Sequence, residues 1–86
     1  MATERKAKIL SYTVLFEPLP EGGYNVVVPA IPEICTFGRT FAEARRMGAD
    51  ALRCYVESVE KARLELPRDI RRSPRIERLE VKRRSA

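Results

Sequence analysis

Residues 9–28, ILSYTVLFEPLPEGGYNVVV, contain two runs of alternating side chains separated by a break rich in proline and glycine. Every even-numbered position from 10 to 16 is apolar or aromatic, and this period of two is typical of a strand with one buried face. In the break, prolines remove hydrogen-bond donors, while Gly22 and Gly23 can adopt the positive φ values of a tight reversal. The pattern predicts a β-hairpin with strands at residues 9–17 and 24–28.

The chain after the hairpin changes from a strand pattern to a helix pattern. Two prolines end the second strand, and the short run at residues 34–37 predicts a third strand. Thr40 and Glu43 have the spacing of a capping box, in which each side chain accepts a hydrogen bond from a backbone N–H at a helix start. Apolar residues then recur every three or four positions, which predicts a helix over residues 41–65.

The C-terminal part of the chain is mostly polar. Residues 67–75 contain prolines and arginines and are predicted to form an exposed connector. Residues 76–82 alternate again, weakly, and predict a last strand at a sheet edge, because charged side chains protect open edges. With a flexible N-terminus at residues 1–8, residues 1–86 are predicted to form a single α+β domain. Its two layers follow the order β-β-β-α-β, with a three-stranded antiparallel sheet plus a final strand packed on one long helix.

The length of 86 residues allows one domain with a small core. A chain of this size buries only about 60% of the surface that it exposes when unfolded, so small domains often need a disulfide, a metal or self-association. The only cysteines are Cys35 and Cys54 and there is no histidine, so a zinc site lacks ligands. A disulfide between them is an alternative, but no secretory signal is seen and a cytoplasmic location with reduced thiols is expected. Self-association as a homo-oligomer, either a dimer or a tetramer, is the stabilising device that remains.

The same composition argues against catalysis. Histidine is the commonest general base, and without it Cys35 has no imidazole to activate it as a nucleophile. The simpler interpretation of Cys35 is a small buried thiol on a strand, and Cys54, beside the apolar stripe of the helix, is interpreted in the same way. The glycine motifs that bind phosphate groups are also missing from the sequence. We therefore expect a binding protein with no enzymatic activity, no cofactor and no metal.

The net charge of +5 is concentrated in the last third of the chain. Residues 61–86 hold ten basic and four acidic groups, whereas residues 1–60 hold seven basic and eight acidic groups. Such asymmetry is typical of nucleic-acid-binding tails, but no aromatic residue that could stack on a base follows Tyr55. A solvated, arginine-rich surface is therefore the favoured interpretation. The alternative nucleic-acid contacts are Arg68, Arg71, Arg72, Arg75, Arg78, Lys82, Arg83 and Arg84.

The hairpin also carries apolar residues on the face opposite its predicted buried side. Alternation places Ile9, Leu15 and Val27 away from Val14 and Val26, and one helix can cover only one face of the sheet. In a domain with a small core, three such residues on neighbouring strands predict a contact patch. The acidic residues nearby suit a basic partner electrostatically. The predicted face for a partner or for self-association comprises Ile9, Leu15, Glu17, Glu21, Val27 and Glu33.

An ordered set of motifs over residues 9–62 resembles the HicB-like antitoxin family. The motifs are YTVLFE at 12–17, EGGYNVVVP at 21–29, IPEIC at 31–35, TFGRT at 36–40 and EA at 43–44. Family members typically show a strand ending in an acidic residue, a Gly-Gly-Tyr hairpin, a Val-Pro strand end and a cysteine-containing loop in this order. The sequence departs from the family at Glu33 and Ile34, where a single glycine more often precedes the cysteine.

The resemblance implies a β-β-β-α-β domain with a partial RNase H-like topology and no active site. As a partner it implies a small basic HicA-type toxin, an RNA-cleaving protein whose catalytic histidine is occluded in the complex. Such antitoxins usually form dimers or tetramers, and many carry a C-terminal domain that binds DNA. Residues 63–86 are too short for a full helix-turn-helix, so we expect a stand-alone HicB-like domain that lacks a full C-terminal DNA-binding domain.

Overall fold

The computed structural model describes residues 9–84. In this part of the chain, three antiparallel strands lie side by side in sequence order and one helix follows them. The elements are β1 (Leu15–Pro18), β2 (Tyr24–Val27), β3 (Cys35–Gly38) and α1 (Phe41–Lys61). The predicted α+β class, with a three-stranded antiparallel sheet and one long helix, is confirmed. The flexible N-terminus predicted at residues 1–8 lies outside the described residues, within which no helix is long and apolar enough to cross a membrane.

The β1–β2 hairpin closes through the predicted glycine turn. The Gly22 N–H donates to the Leu19 carbonyl, and the Leu19 N–H donates to the Gly23 carbonyl, each at 3.0 Å. Gly22 and Gly23 have φ angles of 104° and 83°, which residues with a side chain rarely adopt. The turn therefore depends on the two glycines that marked it in the sequence.

The strands differ in length from the prediction. β1 begins at Leu15 and not at residue 9. Leu15 pairs with Val27, and the ladder does not extend further because Pro29, two residues after Val27, has no N–H to donate. β3 is shifted by one residue, from the predicted 34–37 to Cys35–Gly38.

The helix lies on the sheet face that carries Val26. The buried residues of α1 are Ala44 and Gly48, and a methyl group added at Gly48 would come within 3.0 Å of Val26 Cγ1. Small residues thus bring the helix close to the sheet. The buried core comprises Val26, Val28, Ile31, Ile34 and Ala44.

The helix begins with Thr40 as its N-cap. Thr40 Oγ1 accepts a hydrogen bond from the Glu43 N–H at 3.1 Å, as predicted. Glu43 Oε1 accepts from the Arg39 N–H at 3.0 Å, one residue further back than in the standard capping box. The Thr40 hydroxyl and the Glu43 carboxylate therefore accept hydrogen bonds from two N–H groups, those of Glu43 and Arg39, that have no backbone partner inside the helix.

The helix ends at Lys61, four residues before the predicted end at 65. The N–H groups of Arg63 and Leu64 donate to the carbonyls of Glu60 and Val59 at 3.0 and 3.1 Å. These two bonds form a Schellman motif, which needs a left-handed residue just after the helix, and Arg63 supplies it with a φ of 57°. Because glycine usually occupies this position, an arginine there is no stop signal in the sequence.

The chain after the helix returns to the segment just before β1. The Tyr12 hydroxyl donates to the Pro67 carbonyl at 2.6 Å. The Asp69 carboxylate accepts hydrogen bonds from both the N–H and the hydroxyl of Thr13. The connector predicted at residues 67–75 is therefore attached to the domain at its start and exposed from residue 71 onward.

Residues 76–82 do not form the predicted edge strand. They are exposed and belong to no strand of the sheet. Alternation places Ile76 on the side opposite Leu79 and Val81, and charged residues fill the remaining positions. The connector before this segment is held beside Tyr12 and Thr13, so a continued path beside β1 would carry residues 76–82 past Pro18, where β1 ends. The final strand of the predicted β-β-β-α-β order is thus missing from the described part of the chain.

Candidate partner-binding surface

The sheet has one face covered by α1 and one face left open. On the open face, Leu15 lies opposite Val27 and Val27 lies opposite Cys35, so these three residues form a row across all three strands. A second row follows from the same register. We call the two rows together the outer face, which consists of Leu15, Glu17, Asn25, Val27, Cys35 and Phe37.

The outer face exposes apolar surface across the whole sheet. Leu15 and Val27 are half-buried and Cys35 is exposed. Phe37 is 42% exposed although its ring lies over the hairpin turn, where a methyl group on Gly23 would be only 2.7 Å from Phe37 Cζ. The apolar side chains of Leu15, Val27 and Phe37 and the thiol of Cys35 therefore form an uncovered strip beside the Glu17 carboxylate.

The structure brings together only some of the residues predicted for a partner face. Leu15 and Val27 are direct neighbours, and Glu17 lies in the adjacent row. Ile9 lies six positions before β1 and is exposed, while Glu21 is exposed in the hairpin turn.

Glu33 lies on the helix side of the domain. Burial raises the pKa of the Tyr55 phenol, and the negative charge and hydrogen bonding of the nearby Glu33 carboxylate add to the effect. The Tyr55 side chain packs against the buried cluster of Val28, Ile31 and Ile34. Glu33 therefore lies near Tyr55 and outside the two rows of the outer face.

The buried position predicted for the two cysteines is wrong. Cys35 and Cys54 are both exposed and neither is in a disulfide. Ile34 is buried and its neighbour Cys35 points the other way, so the alternation within residues 34–37 was the signal for an outward cysteine. Within residues 9–84, no three His, Cys, Asp or Glu side chains come close enough together to hold a metal ion.

A groove of about 730 Å³ separates β1 from the first half of α1. We call it the β1–α1 groove. Phe16 and Phe41 lie edge to face at its side, with ring centroids 4.9 Å apart. The groove is also lined by Val14, Arg45, Arg46, Ala49 and Leu52.

The eight basic residues named as alternative nucleic-acid contacts are all exposed. All but Arg68 lie in the exposed region after the attached connector, which we call the tail segment, residues 71–84. Arg75 pairs with Glu77 at 3.3 Å, an exposed contact of low energetic value. The basic groups are therefore spread along the chain and not gathered on the folded domain.

Comparison with known proteins finds relatives over most of the chain. A UPF0150 protein of Thermoplasma acidophilum is 40% identical over 60 residues, which make up 70% of this chain and 87% of that protein. Antitoxin HicB 1 of Photorhabdus laumondii is 45% identical over 64 residues. This chain belongs to the HicB-like antitoxin family. Antitoxin HicB of Escherichia coli K12 is 49% identical to the HicB-like chain over 43 residues, which make up half of the HicB-like chain.

The HicB-like chain corresponds to only part of the two named antitoxins. It spans 41% of the Photorhabdus laumondii antitoxin and 31% of the Escherichia coli K12 antitoxin. No family model matches it. Both of these relatives are named as antitoxins.

Proposed function

We propose that the HicB-like chain is a non-catalytic antitoxin that binds and neutralises a small RNA-cleaving toxin of the HicA type in the cytoplasm. The proposal is supported by family membership and by one structural observation. The row of Leu15, Val27 and Cys35 leaves a strip of the sheet uncovered on the side away from α1. An uncovered strip of this kind is typical of a surface that another macromolecule buries.

The chemistry of the outer face suits the partner that the family implies. HicA-type toxins are basic, and Glu17 on the outer face and Glu21 in the adjoining turn are exposed acids. Opposite charges at the rim would steer the encounter, while burial of Val27 on the central strand and of Phe37 on β3 would supply the affinity. The antitoxin would act by covering the toxin's catalytic groups, and it needs no reactive side chain of its own for this.

Co-expression with the toxin tests the proposal. The candidate is a short basic protein with one histidine encoded beside the HicB-like chain. Expression of the full chain should restore growth of cells that make this toxin, and the two proteins should purify together. Val27→Lys should abolish both effects, because it places a positive charge at the centre of the face that meets a basic partner.

Ser58→Lys provides the matched control. Ser58 is exposed on α1, away from the outer face, so the same charge introduced there should leave rescue intact. Thermal unfolding followed by circular dichroism would verify that both variants remain folded. Rescue by Val27→Lys equal to that by the unaltered chain would exclude the outer face, and failure of the unaltered chain to bind the toxin would exclude the function.

The exposed basic residues support a second candidate function, a small nucleic-acid-binding module. The segment from Arg68 to Arg84 carries eight basic and three acidic groups, with no aromatic side chain. Contacts would therefore be to phosphates, and the affinity for RNA or DNA should fall steeply with rising salt because counterions are released on binding. Mobility-shift titrations at several salt concentrations test this. Binding that is absent or insensitive to salt would exclude it.

A further inference from the structure

We propose that the tail segment of one HicB-like chain adds as a fourth strand to the β1 edge of a second copy. In this arrangement Leu79 and Val81 lie in the second copy's β1–α1 groove. The inference goes beyond toxin binding, since it uses the opposite layer of the domain from the outer face. It identifies the partner as a second copy of this chain and explains which surface joins the two.

The first observation is that the tail segment leaves its own domain with apolar side chains uncovered. Ile76, Leu79 and Val81 are 97%, 80% and 88% exposed. The described part of the chain is 79 Å long in its longest dimension and 28 Å in the next, which is far from the shape of a small compact domain. Three β-branched or long apolar side chains held in water on an extended segment indicate a segment whose folding partner lies elsewhere.

The second observation is that β1 offers a matching place. β1 is an edge strand, paired only with β2 among the described residues. Its free edge adjoins the β1–α1 groove, which is lined by Val14, Phe16 and Leu52 and measures about 730 Å³. A strand added at this edge would satisfy backbone groups of β1 and cover the apolar floor of the groove at the same time.

The tail segment cannot reach this place on its own copy by simply continuing its path. Tyr12 contacts Pro67 and Thr13 contacts Asp69, so the connector runs in the same direction as the chain leading into β1. Asp69 lies beside Thr13, so if the connector continued parallel to β1 with one residue beside each residue of the strand, residue 74 would lie beside Pro18, where β1 ends. Residues 76–81 would then lie past the end of the sheet. A second copy can receive them without this constraint.

The charged residues of the tail segment and of the β1–α1 groove are complementary in the proposed dimer. In an extended segment Glu77, Leu79 and Val81 point to one side. If that side faces the groove, Glu77 lies toward its two lining arginines, Arg45 and Arg46. The present partner of Glu77 is Arg75, in an exposed pair that costs little to exchange. Two copies related by a twofold axis can exchange tails reciprocally and form a closed dimer.

Sedimentation velocity or light scattering at low and high protein concentration tests the proposal. The unaltered chain should be a dimer, and Leu79→Ser combined with Val81→Ser should raise the dimer dissociation constant at least about 100-fold. The matched control is Arg78→Ser combined with Glu80→Ser, which alters the other side of the same segment without changing its net charge and should remain dimeric. Circular dichroism should show the same helix content in all three proteins.

A mixing experiment tests whether tail and groove meet between copies. Ala49→Arg fills the groove but leaves the tail intact, whereas the Leu79→Ser, Val81→Ser variant keeps an open groove. Each should be monomeric alone, and together they should form a heterodimer with one seated tail. A monomeric unaltered chain, which includes a tail folded back on its own domain, would overturn the proposal. So would a dimer that survives the loss of Leu79 and Val81.

Failure here and failure of the proposed function are distinguishable. Val27 lies on the outer face, so Val27→Lys should leave the dimer unchanged while it abolishes toxin neutralisation. Conversely, loss of the dimer in the Leu79→Ser, Val81→Ser variant leaves the outer face as it was.

Discussion

The Asp69 carboxylate holds Thr13 by two hydrogen bonds, from the Thr13 N–H at 2.9 Å and from the Thr13 hydroxyl at 2.8 Å. The two residues are 56 positions apart, and their contact fixes the connector against the chain entering β1. The Tyr12 hydroxyl adds a neighbouring bond to the Pro67 carbonyl. These contacts determine where the tail segment leaves the domain.

Protonation of Asp69 should weaken this attachment. The Thr13 N–H, and then the Thr13 hydroxyl, hold the pKa of the Asp69 carboxyl below its usual value of 3.8. A lowered folded-state pKa stabilises the fold above pH 3.8, and the contribution is lost as the pH falls through the lower, folded-state value. We therefore expect Asp69→Asn to lower the melting temperature at neutral pH and to make little difference well below pH 3.8.

Asp50→Asn is the control for this pH series. Among the described residues Asp50 pairs with Arg53, at 3.4 Å on the exposed side of α1, so its replacement should have little effect at any pH. A difference between Asp69→Asn and the unaltered chain that stays constant at all pH values would contradict the assigned role of the carboxylate.

Tyr12→Phe should loosen the connector without disturbing the core. It removes one partly buried hydrogen bond, and the expected loss in the free energy of unfolding is about 1 kcal/mol. Urea denaturation measures this loss. Limited proteolysis should also cut faster near Arg68, where the chain would be less well held. Unchanged stability and unchanged cleavage would show that the bond does not hold the connector.

Arg63→Gly should stabilise the protein. Arg63 has a φ of 57°, a conformation that costs a residue with a side chain roughly 1 kcal/mol or more, and glycine avoids this cost at the price of a more flexible unfolded chain. We expect a net gain of about 0.5 kcal/mol in the free energy of unfolding. The same substitution at Arg53, inside α1, should instead destabilise by about 1 kcal/mol. Thermal unfolding of both variants should show shifts of opposite sign.

Gly38→Ala should destabilise the junction of β3 and α1. A methyl group at Gly38 would overlap the backbone of Ala44 in the first turn of the helix, and backbone cannot move aside as a flexible side chain can. We expect a loss of about 2–3 kcal/mol in the free energy of unfolding. Ser73→Ala, in the exposed tail segment, should change it by less than about 0.5 kcal/mol. Equal stability of Gly38→Ala and the unaltered chain would show that the close approach is not maintained in solution.

The parts of the fold that were predictable are those with a local cause. Gly22 and Gly23 mark a turn because few other residues adopt their φ angles, and Thr40 marks a helix start because its hydroxyl accepts the Glu43 N–H. In β2 the alternation of side chains places Val26 on the buried side, and this pattern is also visible in the local sequence. None of these features needs knowledge of a distant residue.

The parts that were not predictable depend on distant or atypical residues. Thr13 and Asp69 meet across 56 positions, and nothing near either residue marks the other. Arg63 ends the helix in a conformation normally associated with glycine. The last strand was predicted from weak alternation, which cannot show whether a segment finds its partner in the same copy.

The candidate surface was predictable in part. The alternation of side chains along the hairpin placed Leu15 and Val27 on one face, and the β1–β2 pairing register shows that they are neighbours. Cys35 and Phe37 were missed because the direction of side chains in a four-residue run depends on which residue enters the core. Ile34 does so, which turns Cys35 and Phe37 outward.

Inhibition of the purified HicA-type toxin tests the central claim most directly. The HicB-like chain should stop cleavage of an RNA substrate when present in near-equal amount, and Ser58→Lys should do so equally well. Val27→Lys should need at least about tenfold more protein for the same inhibition, equivalent to about 1.4 kcal/mol of binding free energy. Undiminished inhibition by Val27→Lys, or continued RNA cleavage with excess unaltered chain, would contradict the account.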